Sequence, residues 1–521
     1  GGDPRRPAAR TAAAGLRSRP WLAGRAARTG AAARAPDPPL PSPQSRWQRS
    51  PPASLRATSS PHAVPPSAAA EKTAAAALRA FASRSIGATT GRPGEADQRD
   101  PVWWLADEED DFYEREYMSR DKLWHVRDID RKIFFTGMCG YYRFNISAMP
   151  DMSVIVTVQN EQDGMLSLAV HSVLARTPPS LLREIIIIDD NGASPDIRGK
   201  VNETELDELK ALPKVTIIHN TLREGCARSR MNGAHIAKGE VLMFIDSHIE
   251  MMSGTWAEHL LAPIVENPRT MALQTLDIIS DLDHSYGNGS GDLLYGIVTD
   301  QFWFGYQRTR FFGQETEQPG RRLPYETPFG PGSLFAIRRD EFWRLGGYDK
   351  GLYVWGGENT ELALKMWTCG GRMVMVPCSR VGHMYRIHVR EVGRWPPFLP
   401  QELTDRLGCG HPGRFLTNGS PADNFTKIIT RTNIRIMETW VGDHPAKWGY
   451  YKHVLGSERL PPEWQQYADE LAKDPTAIEQ REVRTRNKCR DFEWFDRHVY
   501  KKYVGVHHPW HPSIKEKTGS S

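Results

Sequence analysis

No stretch of 18 consecutive apolar residues occurs in these 521 residues, so no segment reads as a membrane-spanning helix. Cysteine is scarce. The six residues, at 139, 226, 369, 378, 409 and 489, include no CxxC pair, which excludes zinc-finger spacing and leaves free thiols and bridges both open. Neither GxGxxG nor GxxxxGK follows the first strand-like run, so the dinucleotide fingerprint and the P-loop are excluded as phosphate cradles. An initial methionine is also missing, as expected of a fragment. Residues 1–100 lack aliphatic periodicity and are rich in Ala, Arg and Pro, a composition that cannot bury enough surface to offset its ordering entropy. That stretch is expected to be a disordered tail. It holds 16 Lys and Arg against 6 Asp and Glu, whereas the remaining 421 residues hold 51 against 57. The basic excess therefore belongs to the tail, and the rest of the chain offers no argument for nucleic-acid binding.

What the chain does have is alternation. From residue 153, short apolar runs (SVIVTV, EIIIIDD, VTIIHN, VLMFIDSH) alternate with amphipathic stretches (MLSLAVHSVLAR, a polar stretch ending near Leu212, CARSRMNGAHIA, TWAEHLLAPIVEN). Four such β-α units, with strands apolar on both faces, predict an α/β fold with a mostly parallel, Rossmann-like sheet flanked by helices. Right-handed crossovers then align the strands' C-terminal ends along one edge, the usual place for a ligand. Thr157, Asn160, Asp189, Asp190, Arg223, Asp246 and His248 gather at that edge. Asp246 and His248, two apart at the end of a strand, are expected to point the same way and to share a cation. Further on, ENTELALKMW predicts a helix with Asn359 or Thr360 near its N-cap. RMVMVP predicts a last strand leading to Gly382 and His383, and IITRTNIRIMETWV and PPEWQQYADELAK predict peripheral helices. Sequons at Asn145, Asn202, Asn288, Asn418 and Asn424 permit a secretory location.

EIIIIDD, REGCARSR, DSHIE, TPFGPGSLFAI, VWGGENTELALKMWTCGG and PCSRVGHMYR, in this order, resemble the catalytic domain of polypeptide N-acetylgalactosaminyltransferases. The family forms are VDD, REGLxRSR, DSHCE, TPxxAGGLFAI, VWGGENxELSFRxWxCGG and PCSxVGHVFR, and the likeness spans roughly residues 125 to 500. The resemblance implies the GT-A nucleotide-sugar transferase fold. It also implies a retaining reaction that moves N-acetylgalactosamine from its UDP donor to Ser or Thr hydroxyls of polypeptides. Asp246, His248 and His383 would bind manganese, a suitable set for a borderline divalent ion. Thr157, Asp190 and Arg223 would hold uridine and ribose, and Arg386 the diphosphate. Trp355 and Glu358 would approach the diphosphate and the donor sugar. Disulfides Cys139–Cys378 and Cys369–Cys489 are implied, and with them an oxidising compartment, the Golgi lumen.

The implied organisation is a tail (1–100), a lead-in packed on the catalytic domain (101–150), the catalytic domain (151–390), a peripheral helical extension (391–505) and a disordered C-terminus (506–521). No ricin-type lectin domain and no membrane anchor are expected within the chain. Three departures bear on the donor and the lid. VQNEQ replaces FHNEA, Pro331-Gly332-Ser333 replaces Ala-Gly-Gly, and IHVREVGRWPP lacks the family's KxxPY loop. They keep two rivals open: a related transferase using another UDP-sugar or a glycan acceptor, and a catalytically idle relative.

Overall fold

The computed structural model describes residues 102–106, 139–159, 161, 164–190, 203–221, 223–287, 294–298, 304–308, 323–385, 421–455 and 460–509. The tail, Asn160, Arg386, Cys409 and residues 386–420 and 510–521 lie outside the described residues.

Two short strands open the described chain, β1 (Trp103–Leu105) and β2 (Tyr142–Phe144), paired antiparallel. The β-α series follows: β3 (Met152–Val158), α1 (Met165–Arg176), β4 (Leu182–Asp189), α2 (Glu203–Lys210), β5 (Val215–His219), α3 (Cys226–Ile236), β6 (Val241–Asp246), β7 (Ile249–Met251) and α4 (Trp256–Glu266). Beyond it lie β8 (Thr270–Ile279), β9 (Tyr286–Gly287), β10 (Leu294–Val298), β11 (Phe304–Arg308), β12 (Tyr325–Glu326), β13 (Phe335–Arg338), α5 (Arg339–Arg344), α6 (Glu358–Thr368) and β14 (Arg372–Met384). The helices α7 (Pro421–Ile436), α8 (Pro445–Leu455), α9 (Pro462–Leu471), α10 (Pro475–Arg486), α11 (Phe492–Phe495) and α12 (Lys501–Val504) complete it.

The main sheet runs β12-β14-β8-β13-β6-β3-β4-β5, with β7 on β14 and β9 on β8. Strands β6, β3, β4 and β5 are parallel neighbours, and β14 is parallel to β8. The fold is thus the α/β, parallel-dominated sheet that the β-α alternation predicts. Four strands depart from it: β13 runs antiparallel between β6 and β8, and the short β12 and β7 on β14 and β9 on β8 also pair antiparallel.

Both faces of the sheet are dry. Val154, Val156, Met243 and Ile245 point into a core under α1 and α4, while Ile155, Leu242 and Phe244 point into a second core with α3 and α6. That alternation is the period-two geometry of a strand, and it explains why the runs read as continuously apolar. The late helices, expected at the periphery, share the second core: Ile434, Ile436, Met437 and Trp440 are buried with Phe244 and Leu362.

Two sequence expectations are corrected. The N-cap of α6 is Gly357, with Asn359 and Thr360 inside the helix, because Gly357 adopts the left-handed φ of 82° that lets the chain turn into it. The last strand does not stop near Pro377; after a register shift between Val376 and Arg380 it continues through His383.

Both disulfides implied by the resemblance are formed. Cys139–Cys378 (Cα–Cα 5.6 Å) ties the segment before β2 to β14, and Cys369–Cys489 (4.1 Å) ties the end of α6 to the turn after α10. Loops this long lose about 5 kcal/mol of unfolded-state freedom per bridge in the chain-entropy model.

Candidate functional site

The apolar run of β6 ends at Asp246, at the edge where the parallel strands stop. Asp246 and His248 do converge, but not through strand alternation. Ser247 and His248 form a bend, and β7 then pairs antiparallel with β14, placing Ile249 opposite His383. The Met384 N–H donates to the His248 carbonyl at 3.1 Å, which fixes the two backbones together. The His248 and His383 rings consequently lie 4.8 Å apart, and His383 Nε2 is 3.5 Å from Asp246 Oδ2. One ligand atom from each of Asp246, His248 and His383 falls within 4.8 Å of the other two, the only such group among the described residues.

The surroundings prepare these groups. Burial alone would raise the Asp246 carboxyl. The hydrogen bond from His383 and the charges of His248 and Arg230 outweigh it and hold the group well below the usual carboxylate range. Arg230, buried in α3, donates from Nη2 to Asp246 Oδ1 at 3.2 Å and lies 4.0 Å from Glu358 through Nη1. The Ser333 hydroxyl donates to Asp246 Oδ2.

Glu161, which sequence reasoning passed over, is buried with a carboxylate oxygen 3.1 Å from His248 Nδ1, and it also accepts from the Ser247 hydroxyl. A carboxylate there can only accept, so it places the proton on Nδ1 and makes Nε2 the nitrogen that carries the lone pair. The signal available in the sequence was an acid three residues past the end of the first strand, in NEQ. Glu161→Ala is expected to weaken divalent-metal binding by about 10–100-fold. Titration with Mn²⁺ followed by electron paramagnetic resonance checks this.

The expected nucleotide residues line the same edge. Thr157 pairs in register with Asp246 across β3 and β6, and its buried hydroxyl has no hydrogen-bond partner among the described residues. Asp190 is buried and committed to its own loop. Its oxygens accept from the N–H groups of Glu224 (2.7 Å) and Gly225 (2.8 Å) and from Asn220 Nδ2 (2.8 Å). Burial pushes its carboxyl up, against those hydrogen bonds. The loop so held carries Arg223, whose Nη2 donates to Gln159 at 2.9 Å. Gln159 is the residue standing where the resembled family has histidine. Arg386 lies outside the described residues.

Trp355 is 42% exposed on the loop before α6. Glu358 is buried at the start of α6, where the Gly356 N–H donates to it at 2.7 Å and the Cys226 thiol at 3.4 Å. Gly356 has a φ of 103°, a backbone conformation that favours glycine, and a Cβ there would push aside the tip of the Ile429 side chain of α7. Burial, and then Glu358, push the Cys226 thiol well above its ordinary value, making it a donor and not a nucleophile.

Comparison with known proteins agrees with this geometry. Residues 153–346 match the family model described as glycosyl transferase family 2, and residues 310–390 match that of the N-terminal domain of galactosyltransferase. The chain is 35% identical over 370 residues to N-acetylgalactosaminyltransferase 7 of Drosophila melanogaster, covering 69% of this chain and 54% of that protein. It is 32% identical over 357 residues to polypeptide N-acetylgalactosaminyltransferase 10 of Homo sapiens, covering 68% and 50%. It spans about half the length of these relatives. The crystal structure of GalNAc-T7 with UDP, GalNAc and Mn²⁺ superposes with a TM-score of 0.56 at 28% identity, covering 74% of this chain and 62% of that one. The ordered motifs, the GT-A architecture and these relatives together show that the chain belongs to the polypeptide N-acetylgalactosaminyltransferase family.

Proposed function

We propose that this chain carries the catalytic part of a retaining, manganese-dependent transferase that moves N-acetylgalactosamine from UDP-GalNAc to Ser or Thr hydroxyls of polypeptides. The observation that carries the reading is the convergence of Asp246, His248 and His383 at the C-terminal edge of the sheet. The donor set fits a borderline divalent ion. It comprises an ionised carboxylate, an imidazole whose tautomer is set by Glu161 and a second imidazole on β14. Such an ion, when bound, supplies Lewis-acid stabilisation of the negative charge that grows on a departing nucleoside diphosphate.

The protein's own groups do the rest. Thr157 offers an unpaired hydroxyl to the nucleoside, and Asp190 holds the loop that presents Arg223. Arg386 is assigned to the diphosphate. Trp355, exposed on its loop, is assigned to the diphosphate, and Glu358, which anchors that loop through the Gly356 N–H, is assigned to the donor sugar. Residues 151–390 are assigned as the catalytic domain, 101–150 as its lead-in and 391–505 as a helical extension. The two disulfides support the Golgi lumen as the compartment, since such bridges persist where the redox poise is oxidising. No helix among the described residues is long and apolar enough to cross a membrane.

A second reading, transfer from another UDP-sugar or to a glycan, is favoured by Pro331 and Ser333, which differ from the family form, Ser333 touching Asp246. A donor panel with the purified chain, mucin-like peptides and Mn²⁺ separates the two. A mass gain of one N-acetylhexosamine on peptide is expected. Turnover only with UDP-glucose or UDP-galactose would replace the first reading by the second, and absence of both turnover and UDP binding would end both.

A further inference from the structure

Ser333 stands where the resembled motif has glycine, and its hydroxyl is not aimed at open space. It is buried at the entry to β13, and the backbone beside it is locked between strands. The Leu334 N–H donates to the Phe244 carbonyl at 2.7 Å, and the Leu334 carbonyl accepts from the Gln274 N–H at 2.9 Å. Leu334 itself has a φ of 65°, a left-handed conformation unusual for a branched residue, and the turn it makes brings Ser333 against the end of β6. There the hydroxyl donates to Oδ2 of Asp246, the oxygen that also faces His383 Nε2, while Oδ1 accepts from Arg230.

From this we infer that Ser333 is a positioning residue for divalent-metal binding, a task that a glycine at this position could not perform. The inference rests on the metal-site reading above. An ionised carboxylate has about four acceptor positions on its two oxygens. With one on each oxygen taken, by Ser333 and by Arg230, the group is clamped at both ends and its remaining lone pairs stay on the side of His248 and His383. Hydrogen bonds of this kind to a ligating carboxylate typically sustain 10–100-fold in metal affinity. Ser333 acts through Asp246.

The test is Mn²⁺ binding to the whole chain without donor or acceptor, read by electron paramagnetic resonance, together with the thermal midpoint of the metal-free protein. Ser333→Ala and Ser333→Gly are both expected to weaken Mn²⁺ binding about 10-fold, toward the lower end of that range. The metal-free midpoint of Ser333→Ala should stay at the wild-type value. Unchanged affinity in Ser333→Ala, or weakening only in Ser333→Gly, would overturn the hydroxyl's role, the latter by tracing the effect to the backbone. If wild type binds Mn²⁺ and His248→Ala does not, the metal site stands and the Ser333 result is judged alone. If wild type binds no Mn²⁺, both readings fall.

Discussion

Replacing His248 by alanine is expected to cripple the proposed metal-dependent transfer at a fixed Mn²⁺ concentration while leaving the metal-free fold intact. The side chain sits on a bend outside any core, and the backbone contact that holds the bend, Met384 N–H to the His248 carbonyl, does not depend on it. What disappears is one of the three proposed metal donors. Losing a partner that merely orients a ligand costs about 10–100-fold in metal affinity, and losing the ligand itself costs more than that. The expected result is therefore more than a 100-fold loss of turnover at a fixed Mn²⁺ concentration, partly recovered at high metal, with an unchanged unfolding midpoint without metal. Full activity in the variant would contradict the assignment of the cluster. A fall in stability equal to the fall in activity would show instead that His248 supports the fold.

Arg230→Met has a different signature, because Arg230 is the buried cation between two carboxylates. Burial by itself would lower its proton affinity, but Tyr348, Cys226, Asp246 and Glu358 around it raise it above the ordinary arginine value, so it remains charged. Methionine fills a comparable volume and supplies no charge. Asp246 and Glu358 are then left facing each other's field with one positive neighbour fewer, and removing one member of a buried ionic group typically costs about 3–5 kcal/mol. Chemical denaturation without metal is expected to show a loss of about 3 kcal/mol, at the low end because Asp246 is only partly buried. Added Mn²⁺ should stabilise the variant more than it stabilises wild type, since the ion restores positive charge beside Asp246. Equal stability of the two metal-free proteins would show that the arginine is not needed to offset the acids.

Most of the edge was visible beforehand for one reason: a strand buried on both faces has nowhere to put a charged residue except at its end. Asp189, Asp190 and Asp246 therefore announced where the sheet meets solvent, and the motif series added His383. Glu161 was missed because an acid shortly after a strand has no distinguishing pattern. Its role depends on lying 3.1 Å from a histidine far along the chain. Ser333 was noticed as a departure, but only the turn at Leu334 shows that its hydroxyl faces a carboxylate rather than a sugar. Asp190 kept its place at the edge, yet its oxygens turned out to hold the Glu224–Gly225 backbone.

The α/β class, the direction of the four strands β3 to β6 and the kind of residue found at their ends were legible from the residues alone, since burial and chain periodicity are local properties. The meeting of His383 with Asp246 and His248 was decided only by the tertiary structure. It depends on the turn after β6 and on β7 pairing with β14 in one register, and a shift of a single residue would point the His383 ring to the other face of the sheet.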